Sequence, residues 1–200
     1  IPWDIEDAEK GGYEHFMLKE IHEQPKAIVE TLRGYLNQVE PEINMGIEIP
    51  RDIDDVLLLG CGSSYHATLI GKYILETVVG IRARVELASE FNHASPVLRR
   101  TWAIVVTQSG ETADTLMALK KAKMLGGQTL AITNVVGSSV TRLADQCFFT
   151  RAGPEIGVAA TKTYLTQLVA FYLLALAWPK VGTNYKYSLV QELGRLSSKV

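Results

Sequence analysis

Residues 103–125 are the most constraining stretch of this 200-residue chain. Ala103, Ile104, Val105 and Val106 form a continuous apolar run. Thr107, Gln108, Ser109, Gly110, Glu111 and Thr112 follow, and then Leu116, Met117, Leu119, Ala122 and Leu125 recur at helical spacing. A strand without polar alternation is buried on both faces, so it belongs in a parallel sheet covered by helices. The turn gathers hydroxyls and unpaired backbone N–H groups at a helix N-terminus, a place that attracts anions. No lysine or arginine lies between Ala103 and Leu119, so an anion held there is held by dipoles and hydroxyls. An ordinary strand-to-helix turn capped by Ser109 or Thr112 accounts for the same residues equally well.

The same alternation repeats along the chain. Strands are expected at 56–60, 83–87, 102–107, 129–133 and 147–150. Helices are expected at 65–79, 112–125 and 159–178, with short ones near 89–93 and 138–144. This pattern predicts an α/β fold: a three-layer α/β/α sandwich around a doubly wound, flavodoxin-like parallel sheet of about five strands. Ligands of such sheets bind beyond the carboxyl ends of the strands. The segments of interest are therefore 60–64, 107–112, 134–139 and 153–161.

Residues 1–50 read as a helical lead-in followed by a loop, 51–182 as the α/β domain, and 183–200 as a further helix. The chain opens on Ile1, and the amphipathic pattern of Leu189, Val190, Leu193 and Leu196 runs toward its end without a stop signal. Both ends are expected to be cuts within a larger protein.

Composition narrows the function. With 47% hydrophobic and 21% charged residues the chain can bury a full core. A net charge of −2 points to neither nucleic acid nor an anionic membrane surface as partner. The longest apolar run, 164–178, contains Thr166 and Gln167 and is too short to span a bilayer. Cys61 and Cys147 lie in or beside apolar strands, which predicts buried reduced thiols and a cytoplasmic location.

The turn Gly60-Cys61-Gly62-Ser63-Ser64 repeats the first turn's logic, with glycines and hydroxyls between a strand and a helix. Tyr65 stands where a dinucleotide fingerprint needs its third glycine, and no nucleotide P-loop motif exists, so no nucleotide cofactor is expected. His15, His22, His66 and His93 lack metal-ligand spacing, and no metal is expected. Cys61 is better read as a small residue at a tight strand end than as a nucleophile. Glu111 and Asp114 suit the start of a helix, where acids favour the dipole. After the last strand, the loop at 155–161 opens a long apolar helix. Thr161 or Lys162 could reach a ligand there, although a structural Glu155–Lys162 ion pair is the favoured reading.

These motifs resemble the sugar isomerase (SIS) domain, and within it the isomerizing glutamine–fructose-6-phosphate aminotransferases, or glucosamine-6-phosphate synthases. The run from Thr107 to Thr115 is similar to that family's S-Q-S-G-E-T-A-D-T signature. Further matches are the loop from Gly60 to Tyr65, Glu86-Leu87-Ala88-Ser89-Glu90-Phe91, Asn134-Val135-Val136-Gly137-Ser138-Ser139, and Glu155-Ile156-Gly157-Val158-Ala159-Ala160-Thr161-Lys162. Trp3-Asp4 and the run from Glu9 through Lys19-Glu20 to Gln24-Pro25 resemble the segment that joins the glutaminase and isomerase parts. Other SIS proteins lack that segment.

The resemblance implies a sugar-phosphate site for fructose 6-phosphate or glucosamine 6-phosphate. The phosphate would meet Ser64, Thr107, Gln108, Ser109 and Thr112, Ser63 would approach a sugar hydroxyl, and the backbone near Val158 would line the sugar site. Ala160 stands where the family carries serine. It further implies a homodimeric parent enzyme of UDP-N-acetylglucosamine biosynthesis. That parent's glutaminase cysteine, proton-transferring glutamate, ring-opening histidine and Schiff-base lysine all lie outside this chain, so no catalytic residue is expected within it. A non-catalytic sugar-phosphate sensor and another SIS isomerase or deglycase are the alternatives; the opening segment speaks against both.

Overall fold

A computed structural model describes residues 9–36, 43–94 and 96–200. Five strands form one sheet: β1 (Asp55–Gly60), β2 (Arg82–Leu87), β3 (Thr101–Thr107), β4 (Gln128–Thr133) and β5 (Gln146–Phe149). All neighbours are parallel, in the order β2-β1-β3-β4-β5. The expected strands are thus all present. The residues 1–8, expected to join parts of a parent enzyme, and part of the 41–50 loop lie outside the described residues.

Two helices precede the sheet, α1 (Phe16–His22) and α2 (Gln24–Leu32), with Pro25 in the first turn of α2, where a missing N–H costs no helical bond. The rest are α3 (Gly62–Ile74), α4 (Ala88–Phe91), α5 (Ala113–Met124), α6 (Ser139–Leu143), α7 (Lys162–Ala177) and α8 (Thr183–Gly194). Alternate strand residues point to opposite faces. Val56, Leu58, Ile104, Val106, Leu130 and Ile132 pack with residues of α2, α3, α7 and α8. Leu57, Leu59, Ala103, Val105 and Ala131 pack with α4, α5 and Val140 of α6. A three-layer α/β/α sandwich results.

Beyond shifts of one or two residues, three boundaries differ from the sequence expectation, each for a local reason. Helix α3 starts at Gly62 rather than 65, because serines sit comfortably in a first turn whose N–H groups have no helical partner. Helix α7 starts at Lys162 rather than 159, because a side chain from the preceding loop caps it there. The C-terminal pattern is helical only to Gly194; a 3₁₀ turn (Leu196–Ser198) then turns Leu196 onto the core. Among the described residues, no helix is long and apolar enough to cross a membrane, and no cluster of three or more His, Cys, Asp or Glu could hold a metal ion.

Candidate functional site

Strand β1 has β2 on one side and β3 on the other, so the chain direction across the sheet reverses between β1 and β3. The helices that follow these strands leave to opposite faces, α3 to one and α5 to the other. A crevice therefore opens beyond their carboxyl ends, the usual ligand position of such sheets. A cavity of about 180 Å³ lies there.

The turn after β1 forms one wall, with Cys61, Ser63 and Ser64. Cys61 is the N-cap residue of α3, and the first helical bond runs from Tyr65 N to Cys61 O at 3.3 Å. The N–H groups of Gly62, Ser63 and Ser64 precede that bond and stand at the positive end of the helix dipole.

The turn after β3 forms the adjoining wall, with Gln108, Ser109 and Thr112. It is fixed from within. Thr107 Oγ1 accepts a bond from Gly110 N at 3.2 Å and lies 3.2 Å from Thr112 Oγ1. Glu111 N donates to Ser109 Oγ at 3.2 Å. Gly110 takes φ +70°, and a Cβ there would collide with Ser138. Only glycine fits. Behind this turn, Asn134 N donates to Gln108 O at 3.1 Å and Val140 N to Gly110 O at 3.0 Å. The 134–139 segment supports the site without lining it.

The third wall is the loop after β5, contributing Glu155, Gly157, Val158 and Ala160, continued by Thr163, Tyr164 and Gln167 of α7. Its backbone is held by carboxylates. Glu155 Oε1 accepts from Thr161 N at 2.9 Å and Thr163 N at 3.3 Å, and so caps α7. Glu20 of α1, almost wholly buried, accepts from Ile156 N at 2.6 Å and Gly157 N at 3.1 Å. A Cβ at Gly157 would come within 2.5 Å of the Glu20 carboxylate. Val158 stands fully exposed at the loop tip.

Six of the seven residues expected at the sugar-phosphate site line this cavity: Ser63, Ser64, Gln108, Ser109, Thr112 and Val158. Thr107 does not; it is buried beneath the turn and shapes it through Gly110 and Thr112. No lysine or arginine is among the lining residues. Two expected side-chain roles change. Lys162 is buried and pairs with Glu23 of the α1–α2 junction at 2.5 Å, not with Glu155, whose carboxylate is committed to the α7 cap. Glu111 serves a different helix from its own: its Oε1 accepts from Ser139 N at 2.7 Å, at the start of α6. Hydrogen bonds from Ser139 and the nearby Arg142 hold its carboxyl below the usual glutamate value. Cys61 and Cys147 are free thiols and only partly buried, less than expected, and burial pushes the Cys147 thiol up.

Sequence reasoning missed Thr163, Tyr164 and Gln167. A signal was present: α7 is otherwise apolar, yet Lys162, Thr163, Thr166 and Gln167 are all buried in its first turns. Polar groups buried at the head of an apolar helix need partners there.

The SIS domain family model matches residues 51–177. The chain is 50% identical, over its full length, to part of the isomerizing glutamine–fructose-6-phosphate aminotransferase of Caldanaerobacter subterraneus subsp. tengcongensis, and 47% to that of Methanosarcina mazei. It spans 34% of each relative's length. Among solved structures, the C-terminal domain of glucosamine-fructose-6-phosphate aminotransferase from Francisella tularensis superposes with a TM-score of 0.86 at 34% identity. That superposition covers 95% of this chain and 55% of the other. With its β1 and β3 turns meeting at the switch point and well over half of its length under the family model, the chain belongs to the SIS domain family.

Proposed function

We propose that this chain is the sugar-phosphate-binding first SIS unit of an isomerizing glutamine–fructose-6-phosphate aminotransferase. In that parent, fructose 6-phosphate and glutamine become glucosamine 6-phosphate and glutamate. The observation that carries the reading is the convergence of two hydroxyl-rich turns, each opening a helix, on one cavity without a basic lining residue. A phosphate bound there takes N–H and O–H donors from Ser64, Gln108, Ser109 and Thr112, and Thr107 keeps the second turn in shape. Ser63 and the backbone near Val158 take the sugar. The phosphate has no direct lysine or arginine ligand.

The division into lead-in (1–50), SIS domain (51–182) and connecting helix (183–200) follows from the same reading, as do a cytoplasmic homodimeric parent and its place in UDP-N-acetylglucosamine biosynthesis. The sugar-phosphate site positions substrate. The groups that move the proton between adjacent carbons and release ammonia belong to other parts of the parent. This chain alone therefore makes no glucosamine 6-phosphate from fructose 6-phosphate, with glutamine or with ammonia.

Calorimetry tests the site. The chain binds fructose 6-phosphate and not fructose. Ser109→Ala removes one charge-assisted contact, on the order of 1.5–3 kcal/mol, and weakens binding about tenfold or more. Equal affinity for the phosphorylated and plain sugar, or unchanged affinity in Ser109→Ala, overturns the assignment.

A further inference from the structure

Among the described residues, two buried side-chain polar atoms lack a hydrogen-bond partner: Trp102 Nε1 and Gln167 Oε1. The first belongs to an indole packed edge-on against Trp178 in the core. The second belongs to a cavity-lining amide that is 3% exposed. The other end of that amide is engaged: Gln167 Nε2 donates to Ser64 Oγ at 3.0 Å, across 103 positions of sequence.

A serine hydroxyl has one proton and two acceptor lone pairs. With the Gln167 N–H on its oxygen, Ser64 acts as an acceptor toward α7. Its own proton meets no acceptor among the described residues, and Ser64 lines the cavity. In the reverse amide orientation, Oε1 would take the Ser64 proton and Nε2 would be left unpartnered. Either orientation makes one bond to Ser64 and leaves one amide end bare, so the empty site offers little preference. An anion does choose. It needs the Ser64 proton, and only the orientation with Nε2 on Ser64 leaves that proton available.

We propose that Gln167 is a positioning residue for anion binding: its amide N–H fixes the Ser64 hydroxyl as a donor into the cavity. The inference rests on the sugar-phosphate reading and deepens it. It makes the β1 turn selective for an acceptor-rich ligand group, and it ties α7 to the phosphate end of the site. The bare Oε1 is an acceptor, suited to a ligand hydroxyl or a water that the ligand holds.

Two variants test the inference, with fructose 6-phosphate as probe and thermal unfolding as the check on folding. Gln167→Met keeps the volume and removes both polar ends; its affinity falls about five- to tenfold. In a Ser64→Ala background the same change costs little further, because the residue through which Gln167 acts is gone. Gln167→Glu reads the protonation state. Its carboxylate takes the Ser64 proton and repels the phosphate, so binding is nearly lost at pH 8. The ratio of its affinity to wild type recovers as acidification protonates the carboxyl. Taking the ratio cancels the titration of the sugar phosphate itself.

Affinity equal to wild type in Gln167→Met overturns the inference, as does an equal loss from that change with and without Ser64. A pH-independent ratio for Gln167→Glu also overturns it, since a merely structural defect has no reason to follow that titration. Affinity lost in Ser109→Ala but kept in Gln167→Met rejects Gln167 alone. Affinity kept in Ser109→Ala, or no binding by wild type, rejects the sugar-phosphate reading as well.

Discussion

The cavity has two kinds of wall. The turns after β1 and β3 are set by the sheet beneath them, by bonds between near neighbours such as Thr107 to Gly110 and Ser109 to Glu111, and by the segment after β4, whose Asn134 and Val140 N–H groups reach Gln108 O and Gly110 O. The loop after β5 is set by distant groups: Glu20 is bonded to Ile156 and Gly157 across 136 and 137 positions, and Glu23 to Lys162 across 139. The first kind of wall is built from the sheet and the turns beside it. The other exists only while α1 and α2 stay docked. Substitutions on the first should change affinity without unfolding the chain; substitutions on the second should change stability and affinity together.

The largest expected effect is at Lys162. Its side chain is 4% exposed in the pair with Glu23, and removing one partner of such a pair leaves an uncompensated charge. Lys19 also lies 3.5 Å from Glu23 and softens the loss. Lys162→Met is expected to cost about 3 kcal/mol in urea unfolding. Adding Glu23→Gln should recover part of it. If Lys162→Met leaves stability unchanged, the second wall does not depend on its charges.

Glu20→Ala comes next. It leaves the Ile156 and Gly157 N–H groups without their acceptor, for a loss of about 2–3 kcal/mol. The freed loop should be cut sooner by protease within 155–161, and fructose 6-phosphate should bind more weakly. Proteolysis at the wild-type rate would place Glu20 outside the loop's support.

This contrast also explains what the sequence revealed. The central strands were legible because their residues are apolar without alternation, as in Leu57-Leu58-Leu59 and Ala103-Ile104-Val105-Val106, whereas β2 at the sheet edge alternates Arg82, Arg84 and Glu86 with Ala83, Val85 and Leu87. The turns after β1 and β3 were legible because strand, hydroxyls and helix are consecutive. The third wall was not. Glu155 and Lys162 look like a pair in sequence, yet Glu155 turns to the N–H groups of Thr161 and Thr163, and Lys162 finds Glu23. Gln167 stood in the sequence as an interruption of an apolar run; its partner Ser64 becomes visible only once α3 and α7 pack. Contacts between elements, rather than within them, were the hidden part.

On the local wall, Gly110→Ala probes rigidity. A side chain at φ +70° is strained, and its Cβ collides with Ser138. A stability loss of about 1–3 kcal/mol is expected. Fructose 6-phosphate affinity should fall more than this substitution's distance from the cavity suggests, because the Gly110 N–H anchors Thr107. Unchanged affinity would show that the turn tolerates distortion, and the contrast between the walls would narrow.

The smallest effect tests the one charge in the local wall. Glu111 lies outside the cavity lining and bonds Ser139 at the start of α6. That bond holds its folded-state pKa below the unfolded value. A carboxylate so shifted contributes stability above its unfolded pKa, about 4.3, and loses the contribution as pH falls through the lower folded value. The stability difference between wild type and Glu111→Gln should therefore be flat above about pH 5, shrink on further acidification, and shrink with added salt because the group is exposed. Fructose 6-phosphate affinity in Glu111→Gln should stay closer to wild type than in Ser109→Ala. A stability difference that grows on acidification would contradict the Ser139 contact. An affinity loss as large as that of Ser109→Ala would move Glu111 from the support of the turn into contact with the ligand.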